Sequence, residues 1–100
     1  MKHIIDYDGN EYFYLDDGTY HVFYANGDEF WSDNNGEYHR EDGPALIYNN
    51  GRKQAYFKHG ERHRLDGPAI KSTEYERWYI EGRKYSEAEF LRIVKLKELL

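Results

Sequence analysis

The chain of 100 residues contains no cysteine, only two prolines and a single methionine. Without cysteine, neither a disulfide framework nor a thiolate-bound zinc can staple a small core, and a reducing compartment is the expected setting. The opening stretch MKHIIDYDGNEY has no apolar segment of the kind that directs secretion, and no stretch reaches the roughly eighteen apolar residues of a membrane span. A cytoplasmic protein with no membrane role is therefore expected. The length suits one domain, residues 1–100, near the small end of what a single hydrophobic core stabilises.

Bases are scarce in the first third. Residues 1–37 hold nine acids against Lys2 alone, a net −8, whereas residues 38–100 hold thirteen Lys and Arg against ten acids, a net +3. Such a chain can stack head to tail on copies of itself or meet a partner at either pole, so a homo-oligomer is one expectation. The positive excess is too small for a general nucleic-acid binder, and no duplex partner is expected.

What is abundant is tyrosine, eleven residues of it, within an aromatic content of 18%. In EYFYL and TYHVFYA the aromatics alternate with other residues at period two, the mark of strands with one face buried. Glycines at 9, 18, 27, 36, 43, 51, 60, 67 and 82 leave room for strands of only five to seven residues between turns. Asp8-Gly9, Asp17-Gly18, Asn26-Gly27, Asn35-Gly36 and Asn50-Gly51 supply the positive φ that hairpin turns need. The fold class is mainly β, an antiparallel meander.

The stretch GEYHREDGPA, Gly36 to Ala45, returns 24 residues later as GERHRLDGPA, Gly60 to Ala69. At the same offset Asn26-Gly27 falls on Asn50-Gly51, and Val22, Leu46 and Ile70 align. With two residues removed, Tyr56–Gly60 matches Trp78–Gly82. The expected organisation is an N-terminal strand in 1–11, three two-stranded hairpin repeats at 12–35, 36–59 and 60–81, and a capping helix over 86–98. Ser86 with Glu89 three residues on forms a capping box, and Ala88, Phe90, Leu91, Ile93 and Val94 supply the helix's apolar stripe.

His39, Arg40 and Asp42, and their copies His63, Arg64 and Asp66, are residue types used in acid–base chemistry. Neither copy contains Ser, Thr or Cys, and repetition spreads equivalent groups apart where a catalytic centre needs them convergent. No enzyme activity, catalytic residue or cofactor is expected. His59 and His63 have a helical spacing interrupted by Gly60, so no metal site is expected either.

Asp42-Gly43-Pro44 and Asp66-Gly67-Pro68 are turn chemistry: Asp bonds amides, Gly accepts unusual geometry, and Pro starts a strand where its missing N–H is tolerated. Two readings stay open for the basic residues. Each Arg pairs with an Asp of its own or the neighbouring corner; or His39, Arg40, Arg62, His63 and Arg64 line a cationic rim, with Tyr38, Tyr56 and Trp78 alongside, that holds an anionic, nucleotide-like ligand.

The pattern G-x-x-H-R-x-D-G-P-A followed by an aromatic strand resembles a class of tandem repeats similar to MORN repeats, found in small proteins of tailed phages. The ending from Trp78 to Phe90, W-Y-I-x-G-x-x-Y-S-x-x-E-F, is also similar to the closing segment of such phage proteins. The resemblance covers residues 36–90. The first third departs from it, with Gly18 where the repeat has Asp and no His-Arg ahead of Val22. It implies stacked β-hairpins that serve as a binding surface in host cytoplasm. The function expected from it is non-enzymatic, counteracting a host defence component by binding a host protein or sequestering a nucleotide-like ligand; the alternative is a structural module that self-associates.

Overall fold

Gly9, Gly18, Gly27 and Gly36 recur every nine residues, which is one short strand plus one tight turn. Each of these glycines has φ between +82° and +95° and donates its amide to the carbonyl three residues back, on Asp6, Leu15, Tyr24 and Asp33 respectively. The computed structural model describes all of residues 1–100. These turns join β1 (Lys2–Ile5), β2 (Glu11–Tyr14), β3 (Tyr20–Phe23) and β4 (Glu29–Ser32), each antiparallel to the next.

Beyond β4 the chain adds β5 (Leu46–Tyr48), β6 (Lys53–Ala55), β7 (Phe57–Lys58), β8 (Glu61–Arg62), β9 (Ile70–Ser72), β10 (Glu76–Ile80) and β11 (Arg83–Tyr85). Nine strands form one antiparallel sheet in the order β1-β2-β3-β4-β5-β6-β9-β10-β11. The meander is interrupted once: β7 and β8 pair only with each other, and β6 crosses to β9. The segments 12–35, 36–59 and 60–81 each carry three strands rather than the expected two, and the cut after residue 59 falls inside the β7–β8 hairpin. Each His-Arg motif folds into a corner that leads into a sheet strand, the first into β5 and the second into β9, and the side hairpin β7–β8 lies between β6 and the second corner.

The side hairpin is bonded on both sides. Gly60 N–H donates to Tyr38 O at 2.8 Å and Gly82 N–H to Arg62 O at 2.8 Å, so the segment from Tyr38, the β7–β8 hairpin and the β10–β11 hairpin lie side by side. Ala45 and Ala69, which close the two motifs, are fully buried, and their carbonyls accept from Trp31 and Tyr56 at 2.8 and 2.7 Å.

The sheet is thin. The molecule measures 48 × 32 × 16 Å with a radius of gyration of 15.3 Å, against about 13 Å for a compact chain of this length. Its accessible surface is 6928 Å², where a compact protein of this mass has about 6,000 Å². Only eight residues are buried, among them Val22, Ile80 and Phe90. Strand alternation puts aromatics on both faces. Across β1 to β4 a column of directly opposed rings runs His3–Phe13–His21–Trp31, with centroid spacings of 4.3, 5.8 and 4.2 Å. On the other face Tyr14, Tyr20, Phe30, Tyr38 and Phe57 touch in sequence.

The terminal helix α1 (Glu87–Glu98) begins at the expected capping box: Ser86 Oγ accepts from the Glu89 amide at 3.1 Å, and Glu89 Oε1 accepts from the Ser86 amide at 2.9 Å. These bonds hold the Glu89 carboxyl below its ordinary pKa. Packed against β10 and β11, the helix buries Phe90 at the end of the sheet opposite β1. It is too short and too polar to cross a membrane.

Candidate functional site: two arginine corners

The two His-Arg corners are built alike. Arg40 donates from Nε to Asp42 Oδ1 at 3.0 Å and from Nη1 to Pro44 O at 3.1 Å; Arg64 donates to Asp66 Oδ1 at 2.9 Å and to Pro68 O at 3.1 Å. Each guanidinium also lies over an aromatic ring, Arg40 over Trp31 at 3.8 Å and Arg64 over Tyr56 at 4.0 Å. The opposite side is closed by glycine: a Cβ at Gly43 would stand 3.0 Å from Arg40 Cζ, and one at Gly67 2.8 Å from Arg64 Cζ. Neither glycine has a positive φ, so their role is to leave room for the guanidinium. Asp-Gly-Pro thus supplies a carboxylate, a gap and a carbonyl to one arginine four residues upstream or fewer.

The histidines have a different task. His39 Nδ1 accepts the amide of His59 at 3.0 Å, and His63 Nδ1 accepts the amide of Glu81 at 2.9 Å. His59 and Glu81 are the first residues of two tight turns and have φ of +46° and +48°. Each motif histidine therefore holds in place the strained turn of a hairpin about twenty residues further along the chain, with its Nδ1 as an unprotonated acceptor. For His39 this leaves the proton on Nε2, 2.9 Å from Glu41 Oε1. His63 titrates below its ordinary pKa because burial disfavours its charged form, with Lys58 adding to the effect.

One pair escaped the sequence reading. Asp33, buried at the end of β4, accepts from His59 Nδ1 at 2.8 Å and from the amides of Asn35 and Glu37. The His59 hydrogen bond, more than the amides, holds its carboxyl below the ordinary value against the opposing effect of burial. The His59 ring in turn stacks on His39 with centroids 4.0 Å apart. A signal was present: Asp-x-x-Gly occurs at Asp6–Gly9 and again at Asp33–Gly36, and Asp6 likewise accepts the amides of Asp8 and Asn10.

Of the rim residues expected from sequence, Arg40, Tyr56, His63 and Arg64 come together in one open cleft of about 420 Å³ between the two corners. His39, Arg62, Tyr38 and Trp78 do not line it. His39 is turned to His59, Tyr38 packs between Phe30 and Phe57, Arg62 stands 5.4 Å from the Tyr79 ring, and Trp78 pairs across the hairpin with Tyr85. Lys58 and Leu65 join the cleft, and neither was anticipated. Its lining cations, Arg40, Lys58 and Arg64, are matched by Glu41, Asp42 and Asp66, so the cleft carries no net charge with His63 neutral.

The cleft can hold a polar or mixed surface by shape. Its lining includes no Ser, Thr or Cys, and no cluster of three metal-ligating side chains occurs in the chain. No protein-family model matches this chain, and neither a curated protein nor a solved structure is significantly similar to it.

Proposed function

We propose that this is a non-enzymatic binding module whose partner is another protein. The observation that carries the reading is the internal pairing of both arginines. With Nε and Nη1 of each guanidinium bonded to its own Asp and Pro, and one planar face on an aromatic, two of the three nitrogens that would grip a phosphate already have an internal partner. A nucleotide-like ligand would compete with two carboxylates in a cleft without net charge. A protein surface makes no such demand and suits a broad, thin sheet with Phe23, Tyr38 and Leu65 exposed.

The resemblance of the HRxDGPA segments to repeats of small phage proteins supports taking that partner to be a host component, with a defence protein as the concrete candidate. The test uses a photo-reactive amino acid introduced at Leu65, in the cleft, and separately at Leu15 as a control, in protein expressed in bacterial cells. Cross-links from position 65 to one defined protein are the expected result. A nucleotide co-purifying with the protein and lost in Arg64→Ala, with no protein cross-link from position 65, would overturn the reading.

A further inference from the structure

At the far end of the sheet from α1, β1 is an edge strand with nothing beside it. All four of its residues are exposed, Ile5 to 60%, and the strand has neither proline nor a bulge to blunt it. The ladder fixes which backbone groups are free. Asp6 N–H donates to Asn10 O, so Asp6–Asn10 is a bonded pair, and alternation makes Ile4–Tyr12 and Lys2–Tyr14 bonded pairs too. The amides and carbonyls of His3 and Ile5 therefore point outward, two donors and two acceptors at the spacing of an incoming strand.

The charge around this edge is mostly negative, with Lys2 and the Met1 ammonium, itself paired with Asp16, outnumbered by Asp6, Asp8, Glu11, Asp16 and Asp17. Residues 1–37 carry a net −8, and Asp6, Asp8 and Glu11 lie on or next to β1 and β2. We infer that the β1 edge is a binding site for a basic extended segment of a partner protein, which adds to the sheet as a tenth strand beside His3 and Ile5. Backbone pairing supplies the contact, Ile4 and Ile5 give its side chains apolar surface on each face, and the acidic surroundings select Lys and Arg. This site lies apart from the corner cleft and does not depend on its role.

A second copy of this chain fits the edge poorly. Pairing β1 with β1 would bring two net −8 regions together. Pairing it with the opposite edge, β11, is limited by that strand's length. Ile80 and Arg83 flank the two-residue turn Glu81-Gly82 as a bonded pair, as do Trp78 and Tyr85 one step further, which leaves only Lys84 with outward backbone groups.

The test titrates the intact protein with the capped peptide acetyl-Lys-Val-Lys-Val-Lys-Val-amide, following backbone amide shifts and exchange. The expected result is perturbation centred on residues 2–5, new protection of the His3 and Ile5 amides, and weakening with added salt. Ile5→Pro, which removes an outward amide and no bond to β2, is expected to weaken binding about tenfold or more. A peptide N-methylated at every second residue, which leaves the protein untouched, is expected to lose binding in one of its two registers. Equal binding by a control peptide, acetyl-Glu-Val-Glu-Val-Glu-Val-amide, or binding unchanged by both Ile5→Pro and N-methylation, would overturn the inference. So would sedimentation showing a dimer with His3 and Ile5 protected in the absence of peptide.

Discussion

The imidazoles of His39 and His59 stack 4.0 Å apart while the backbone amide of His59 donates into His39 Nδ1 at 3.0 Å. A side chain of one corner thus fixes a turn twenty residues away in a left-handed conformation that a non-glycine residue adopts only at a cost. The requirement is for an acceptor at the Nδ1 position. His39→Asn, whose side-chain oxygen occupies a similar place, is expected to lose less than about 1 kcal/mol, and His39→Leu about 1–2 kcal/mol, because the His59 amide loses its partner. Urea unfolding of the two variants checks this; equal losses would mean that ring stacking, rather than the acceptor, holds the turn.

Within the corner the arginine matters more than its carboxylate. Asp42 is 85% exposed, so its ion pair with Arg40 is screened, and Asp42→Asn is expected to change stability by no more than about 0.5 kcal/mol. Arg40→Ala removes the stack on Trp31 and the donor to Pro44 O together, an expected loss of about 1–2 kcal/mol. Gly43→Ala pushes a methyl against the same guanidinium and should give a loss of similar kind. The double variant Arg40→Ala/Gly43→Ala should then be more stable than the sum of the single losses predicts, since the clash vanishes with the arginine. Strict additivity would remove the packing argument for this glycine.

Acid should destabilise the protein in two stages. His63 titrates below its ordinary value of 6.5 in the folded state, so the unfolded chain takes up its proton first. The contribution of His63 is complete above pH 6.5 and is lost as the pH falls from there through its lower folded pKa. The carboxyls of Asp6, Asp17 and Asp33 are also depressed, from 3.8, chiefly by hydrogen bonds from Asn10, Thr19 and His59 respectively. Their contribution is full above pH 3.8 and disappears below it. Chemical denaturation between pH 7 and 3 should show the first decline flattened in His63→Asn. A single decline starting only near pH 4 would argue against the His63 assignment.

Much of this was legible in the sequence because turns and caps are local. The glycine spacing marks the meander, and Ser86 with Glu89 marks where the helix begins. The motif's Asp, Gly and Pro announce a corner, and the second copy argues against a catalytic centre while leaving open whether Arg40 and Arg64 pair with Asp42 and Asp66 or face a ligand. Two things were not legible. That β6 passes over to β9, leaving β7 and β8 aside, follows from which edges meet in three dimensions, and the period-two pattern of strands as short as two residues cannot report it. The sharing out of the motif was hidden as well. His39 and His63 serve hairpins that follow them by about twenty residues, whereas Arg40 and Arg64 close their own corners, and nothing in H-R-x-D-G-P-A distinguishes a long-range role from a local one.

The linear order of the sheet makes the consequences of damage local. Strands contact their neighbours in the sheet, and α1 contacts only β10 and β11 to any extent. Phe90→Ala empties the one fully enclosed aromatic site at the helix interface and is expected to cost about 3–5 kcal/mol there. In a chain of stacked units such a loss frays the damaged end before it reaches the other. Hydrogen exchange should therefore show the amides of β10, β11 and α1 opening first in Phe90→Ala, while those shared by β2, β3 and β4 keep their protection. A uniform loss of protection from β1 to α1 would mean instead that the thin sheet folds as one cooperative unit, with Phe90 supporting strands it never touches.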